Sequence, residues 1–188
     1  MSDSNDIVEG FLAHSPHLAK VRGSYSPETT KEKGKEPEGD EETCAAFGYL
    51  RGLQDRALAI EFRLRSGDSE CYAYSCLVSW RFNPSIGLLV KFTTGDGVTL
   101  VLIRGSNLEM LVNGTVNLTD RGLQRHRITW VREMDQDELR KAGQTEPTID
   151  GIDIGDFESR DEQQEWVKRR APAFLRRSDE RAIGSVRD

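Results

Sequence analysis

Apolar and polar residues alternate with a period of two along the middle of the chain. In AIEFRLRSG, residues 59–67, three apolar residues are separated by charged ones, and a Ser-Gly-Asp turn follows. The run CYAYSCLVSWRF, residues 71–82, keeps the alternation over its whole length. Because successive side chains of a strand point to opposite faces, both runs predict β-strands. The longer strand is expected to bend near residues 75–79 and to serve two sheets.

Two further strands flank the strongest hairpin signal in the chain. GLLVKFTT, residues 87–94, and GVTLVLIRG, residues 97–105, are joined through Gly-Asp-Gly, a typical hairpin turn. The run HRITWVRE, residues 126–133, predicts a fifth strand with Ile128 and Trp130 on one face. These strands predict a mainly β fold with short helices, built on a small five-stranded antiparallel bent sheet or barrel.

Three short helices are predicted around the strands. In TCAAFGYLRGLQD, residues 43–55, apolar residues recur at three- and four-residue steps, which is typical of one helix face. A capping box that begins at Ser106 predicts a second helix, directly after the Arg-Gly of the fourth strand. Another box at Ser159 predicts a third helix over residues 160–171, ended by Pro172.

Charge is spread unevenly along the 188 residues. Residues 1–46 hold ten acidic and five basic residues, whereas residues 47–134 hold eight acidic and eleven basic ones. Residues 135–188 hold fourteen acidic and ten basic residues. The mildly basic middle therefore lies between acidic flanks, and the net charge of −6 says little about its partner.

The same composition predicts the domain organisation. Residues 29–42 contain no apolar side chain, so nothing there offsets the entropy lost on ordering. We predict a disordered acidic arm over residues 1–42 and a small β-barrel domain over residues 43–134. Residues 135–188 are predicted to be an acidic linker and a short basic amphipathic helical tail, which makes both terminal arms disordered and charged.

Cysteine usage and hydropathy predict the compartment. The three cysteines, Cys44, Cys71 and Cys76, are an odd number, and the chain begins without a basic leader or an apolar run of signal length. Reduced thiols in a cytoplasmic protein are therefore expected. No window approaches the ~18 apolar residues of a membrane-spanning helix, so no membrane span is expected.

The run VLIRGSNL, residues 101–108, resembles the second signature of the Sm-like RNA-associated proteins, whose fourth strand ends in Ile-Arg-Gly. The matching residues are Ile103, Arg104 and Gly105. The strand layout is also similar, and the resemblance implies a small SH3/Sm-like β-barrel. In that family the arginine lies against a nucleobase at the inner rim of a ring of subunits, and the glycine allows close approach. The resemblance thus implies these roles for Arg104 and Gly105.

A cluster of arginines precedes and enters the fifth predicted strand, next to Trp130. Arginine can clamp phosphates or stack on bases, and a neighbouring aromatic ring extends such a surface. In the alternative, Trp130 belongs to the core and the arginines form a solvated face without a ligand. The predicted residues for nucleic-acid or anion binding are Arg104, Gly105, Arg121, Arg125, His126 and Arg127.

A second basic segment lies near the C-terminus. Its predicted contact residues are Lys168, Arg169, Arg170, Arg176 and Arg177. Three alternatives stay open for this tail: nucleic acid, an acidic protein surface, or its own acidic linker GIDIGDFESRDE, residues 151–162.

Metal and catalytic chemistry find little support in the sequence. Cys71 and Cys76 fall on opposite faces of a regular strand, and zinc sites usually need four ligands. His126 has no evident nucleophile or orienting group beside it, and no glycine-rich phosphate loop is present. We therefore expect no catalytic residue, no metal and no cofactor.

The function predicted from the sequence is a non-catalytic binding module. It would hold an anionic partner through a basic rim. RNA is the preferred candidate for this partner. The alternative is a protein-interaction or scaffolding subunit that forms a homo-oligomer without nucleic acid, because small barrels expose sheet edges that can pair between copies. A small enzyme is the third alternative.

Overall fold

The computed structural model describes residues 41–95 and 97–175 of the chain. The predicted disordered arm therefore lies outside the described residues, except for Glu41 and Glu42, which belong to a strand. Arg176 and Arg177 of the predicted basic tail also lie outside them.

Nine strands and two α-helices make up the described part of the chain. The strands are β1 (Glu41–Thr43), β2 (Phe47–Leu50), β3 (Ala59–Arg63), β4 (Ser69–Ala73), β5 (Leu77–Asn83), β6 (Gly87–Thr94), β7 (Gly97–Ser106), β8 (Ile128–Arg132) and β9 (Thr148–Phe157). The helices are α1 (Gln136–Lys141) and α2 (Arg160–Arg170), and 3-10 turns lie at Tyr74–Cys76, Leu123–Arg125 and Pro172–Phe174.

The strands form two sheets that share one core. The first sheet has the order β1-β2-β8-β3-β4 and the second the order β5-β6-β7-β9. Phe62 of the first sheet meets Phe92 of the second edge to face at 6.0 Å, and Tyr72 stacks on Phe92 at 4.8 Å. Apolar side chains from both sheets are buried between them. The mainly β class is confirmed, but the described residues form nine strands instead of the predicted five, and β3 pairs with β8 in parallel, so the first sheet is not purely antiparallel. The two sheets do not close into a barrel.

The predicted long strand breaks where it changes sheets. Residues 71–73 belong to β4 in the first sheet, the turn Tyr74–Cys76 follows, and β5 begins the second sheet. The hydroxyl of Tyr74 donates to the carbonyl of Ile128 at 2.9 Å, which fixes the corner against β8. The prediction that this segment serves two sheets is confirmed.

The helix predicted over residues 43–55 is wrong, because its central part is strand β2. Gly48 lies beneath the indole of Trp130, and a β-carbon at this position would overlap the ring. Phe47 and Tyr49 are both buried in the shared core. Pairing with β1 on one side and β8 on the other satisfies the backbone of β2 and overrides the helical spacing of its apolar residues.

Strand β8 forms as predicted, but its faces differ from a simple alternation. Its register against β2 shifts by one residue, so Ile128 and Val131 are both buried in the core. Trp130 is half-buried on the outer face, where the guanidinium of Arg63 lies 4.7 Å from its ring centroid. A bulge of this kind places an extra residue between two inward-facing side chains.

The helix predicted after Ser106 is also wrong. Ser106 is still part of β7 and pairs with Thr148, and Asn107 has a left-handed φ of 60°. The Asn107 amide donates to the carbonyls of Gln144 at 2.8 Å and Glu146 at 3.0 Å. A residue in the left-handed region does not begin a right-handed helix, so the chain turns here instead.

The segment predicted to be an acidic linker contains strand β9, which pairs with β7 along its whole length. Its glycines are packing positions rather than turn residues. Gly151 leaves room for the guanidinium of Arg104, and Gly155 leaves room for Trp166. This linker prediction is wrong for residues 148–157, because the glycines are needed where larger side chains cross the strand.

The predicted C-terminal helix is confirmed as α2, and Pro172 follows its end. Both hydrogen bonds of the capping box between Ser159 and Glu162 are present. Trp166 and Val167 pack on the outer face of the second sheet and add a third layer. In the part of the chain that the structure describes, no helix is long and apolar enough to cross a membrane.

Candidate anion-binding surface

Two loops meet beside the start of β8. One loop spans residues 51–58 and the other spans residues 117–127. The amide of Leu50 donates to the carbonyl of Arg127 at 2.8 Å, and the amide of Ala57 donates to the carbonyl of His126 at 2.7 Å. These two backbone hydrogen bonds hold the loops side by side.

Arg127 fixes the junction of the two loops from below. Its side chain is 1% exposed. Its Nε donates to the carbonyl of Leu50 at 2.9 Å and its Nη2 to that of Arg51 at 2.6 Å. Burial lowers the pKa of this guanidinium, and the nearby charges of Arg125 and Arg56 lower it further. Arg127 is therefore a structural residue beneath the surface and not one of its contact residues.

His126 stands at the edge of the same junction. It closes a 3-10 turn with a left-handed φ of 55°. Its half-buried ring stacks on Tyr74, with the ring centroids 4.5 Å apart and the planes tilted by 17°. Since the Tyr74 hydroxyl is bound to the backbone of β8, the position of the histidine ring is fixed.

Four exposed arginines lie on these two loops. We call them the basic loop surface: Arg51, Arg56, Arg121 and Arg125. With Arg127, the two loops carry five arginines against two aspartates, a net charge of +3 with His126 neutral. Because the charges of Arg125 and Arg56 both depress the pKa of Arg127, positive charge from both loops is concentrated in one place.

The exposed arginines are only partly held by the protein. Arg51 lies 3.3 Å from Glu42, with its side chain 71% exposed. Arg56 donates to two carbonyls of its own loop, those of Leu53 at 3.2 Å and Asp55 at 3.0 Å. Exposed contacts of this kind are weak, so a ligand phosphate can replace them at little cost.

The sequence analysis did not identify Arg51 and Arg56 as binding residues. They lie about seventy residues before Arg125. Arg51 belongs to the segment whose spacing indicated a helix, and Arg56 directly follows that segment. Hydrogen bonds between residues far apart in the chain bring this loop beside the other arginines: those from the Arg127 side chain to the carbonyls of Leu50 and Arg51, and the two backbone bonds described above. No local pattern could have identified that approach.

Arg104 and Gly105 lie elsewhere, on β7 of the second sheet. The guanidinium of Arg104 is 2.5 Å from a carboxylate oxygen of Asp153, and Arg170 lies 2.8 Å from the other oxygen. A β-carbon on Gly105 would overlap the carbonyl oxygen of Thr148 on β9. Both residues thus have structural roles in joining β7, β9 and α2, and they are not part of the basic loop surface.

Two of the three described residues of the basic tail pair with acidic side chains. Arg170 pairs with Asp153 of β9, and Lys168 lies 3.8 Å from Glu165 on the same helix. Arg169 donates to the carbonyl of Glu165 at 3.4 Å. For Arg170, the structure therefore shows the alternative in which the tail contacts its own acidic segment.

The three thiols are free and lie in different surroundings. Cys44 is half-buried, donates to the carbonyl of Phe47, and has its pKa raised by burial. Cys71 is exposed and Cys76 is half-buried. Within residues 41–95 and 97–175, no group of three or more His, Cys, Asp or Glu side chains could hold a metal ion.

Comparisons of the chain with known proteins give no assignment. No protein-family model, no curated protein and no solved structure matches it. The choice of a candidate function therefore depends on the residues of the basic loop surface and their chemistry.

Proposed function

We propose that this protein is a non-catalytic binding module that holds an anionic partner, RNA before others, on the basic loop surface. The observation that carries the proposal is that two distant loops, held together at one junction, carry four exposed arginines. Arg127, buried at the junction, keeps the two loops together. Such an arrangement presents several guanidinium groups to one extended anion.

The chemistry of arginine supports a phosphate-bearing partner. Each guanidinium carries five donors in a planar fork that matches phosphate oxygens, and it also stacks on bases. The fixed ring of His126 offers a half-buried aromatic group next to these donors. RNA is preferred among anions because it offers both phosphates, which guanidinium groups clamp, and unpaired bases, on which they stack.

The test is the affinity of the full chain for a labelled single-stranded RNA, measured by fluorescence anisotropy. We expect the double substitution Arg121→Gln and Arg125→Gln to weaken binding roughly tenfold or more, because two phosphate contacts are lost. The free energy of unfolding should change by less than about 0.5 kcal/mol, since both side chains are exposed.

Two control variants separate the proposed surface from net charge. The pair Arg140→Gln and Lys141→Gln removes the same charge from the exposed end of α1. Arg104→Gln removes a charge from the second sheet. Unchanged RNA affinity in both controls is expected. An equal loss in the α1 control, or no loss in the loop variant, would reject the basic loop surface as the binding site.

A protein-interaction subunit is the second candidate. It is favoured by the edge of β5, which pairs only with β6 among the described strands and carries Val78 with 55% exposure. An edge strand of this kind can pair with a strand of another chain. Light scattering that finds a closed oligomer without nucleic acid would favour this function over RNA binding.

A further inference from the structure

A cleft with a volume of about 440 Å³ lies between the second sheet and α2. It is bounded by the outer faces of β5, β6 and β7, by one side of α2, and by the turn Pro172–Phe174. The volume falls within the range of small-molecule sites, about 300 to 1,000 Å³. The cleft is separate from the basic loop surface and shares no residue with it.

The base of the cleft is aliphatic. Leu89 and Leu100 form its floor, and Val167 and Phe174 form part of its wall. These four residues belong to the apolar cluster that joins α2 to the sheet. A ligand with an aliphatic body would therefore find a surface of the same kind.

Two cations stand above this floor on neighbouring strands. In the register of β5 and β6, Arg81 is opposite Leu89 and Lys91 is opposite Ser79. Arg81 and Lys91 are thus diagonal neighbours on one face, a separation of roughly 7–8 Å between such positions. Their side chains can therefore approach one compact anionic group from two sides.

The hydrogen-bond partners of Arg81 and Lys91 are neutral. Arg81 donates to the carbonyl of Phe174 at 2.7 Å, and the Lys91 ammonium donates to the Gln163 amide oxygen at 3.3 Å. Each contact uses one donor, whereas a guanidinium has five and an ammonium three. Among the described residues that line the cleft there is no aspartate or glutamate. The charges of Arg81 and Lys91 are therefore not offset by a carboxylate of the lining, which also includes Arg160 of α2.

We infer that this cleft binds a small amphiphilic anion. Its carboxylate or phosphate group lies between Arg81 and Lys91, and its aliphatic body lies on Leu89 and Leu100. The leucine floor distinguishes this ligand class from nucleotides, whose bases are recognised by stacking on exposed aromatic rings. The inference does not depend on the proposed RNA function, because the two sites have different residues.

The test titrates the full chain with octanoate and with octyl phosphate by calorimetry and by ¹H–¹⁵N NMR. Saturable binding is expected for at least one of them, and none for octylamine, whose head group has the wrong charge. Arg81→Gln and Lys91→Gln should each weaken binding roughly tenfold, because each removes a charged donor. Comparison of the two ligands identifies the preferred head group.

As controls, the variants of each site are tested with the ligand of the other site. Arg121→Gln with Arg125→Gln should leave octanoate binding unchanged, and Arg81→Gln should leave RNA affinity unchanged. NMR spectra with native dispersion establish that the variants are folded. Three results would overturn the inference: no saturable binding of either anion, unchanged binding in both cleft variants, or acetate binding as tightly as octanoate.

Discussion

Arg127→Ala is expected to lower the free energy of unfolding by about 3–5 kcal/mol. The substitution removes two charged hydrogen bonds and leaves the carbonyls of Leu50 and Arg51 without the donor from this side chain. A hydrogen bond to a charged group is worth about 1.5–3 kcal/mol, and a cavity remains where the side chain was. Urea unfolding followed by circular dichroism measures the change.

Arg127→Lys is the matched variant for this prediction. The ammonium keeps the charge but lacks the planar fork that reaches both carbonyls in the present geometry. We expect a loss close to half of that caused by alanine. Equal stabilities of the wild type and the alanine variant would show that Arg127 does not fix the two loops, and the geometry of the basic loop surface would then be in error.

Gly105→Ala is expected to lower the free energy of unfolding by about 3 kcal/mol, the upper part of the range for overpacking a tight site. The added methyl group would overlap the carbonyl oxygen of Thr148. That oxygen belongs to the backbone of β9, so it cannot move without disturbing the pairing of β7 with β9. Thermal unfolding measures the effect.

Gly143→Ala is the control for this glycine. A β-carbon there would meet its nearest atoms, in Glu146, at 3.5 Å, which is ordinary contact. Its stability should stay within about 0.5 kcal/mol of the wild type. A Gly105→Ala protein that is as stable as this control would contradict a packing role for Gly105 and favour a role in ligand approach.

Local patterns predicted the elements whose stability is decided locally. The alternation in β3, the Gly-Asp-Gly connection of β6 and β7, and the capping box of α2 are each confirmed. In each of these cases, the residues that form the pattern and the residues whose conformation it determines lie in the same short segment. The break after Ala73 was also predictable, because a strand of twelve residues is too long for one small sheet.

The missed elements depend on distant side chains. Gly48 lies in a strand because Trp130 covers it, and Gly151 lies in a strand because Arg104 crosses it. Without those partners both glycines favour turns or weaken a helix. The partner residues lie far along the chain, and no window of the sequence contains both.

Only part of the candidate site could be predicted from the sequence. Arg121 and Arg125 stood out because basic residues are dense in that segment. The pairing of Arg104 with Asp153 and the burial of Arg127 follow from tertiary contacts, as does the approach of Arg56. Charge density along the sequence therefore indicated a region but not which arginines are accessible.

The most direct test of the proposed function is the salt dependence of RNA binding. If the four arginines of the basic loop surface each neutralise one phosphate of a single strand, log affinity should fall with log salt with a slope of about −3. The variant with Arg121→Gln and Arg125→Gln should retain a slope of about −1.4, because two contacts remain. A slope near zero, or one that is identical in the wild type and the variant, would contradict RNA binding by this surface.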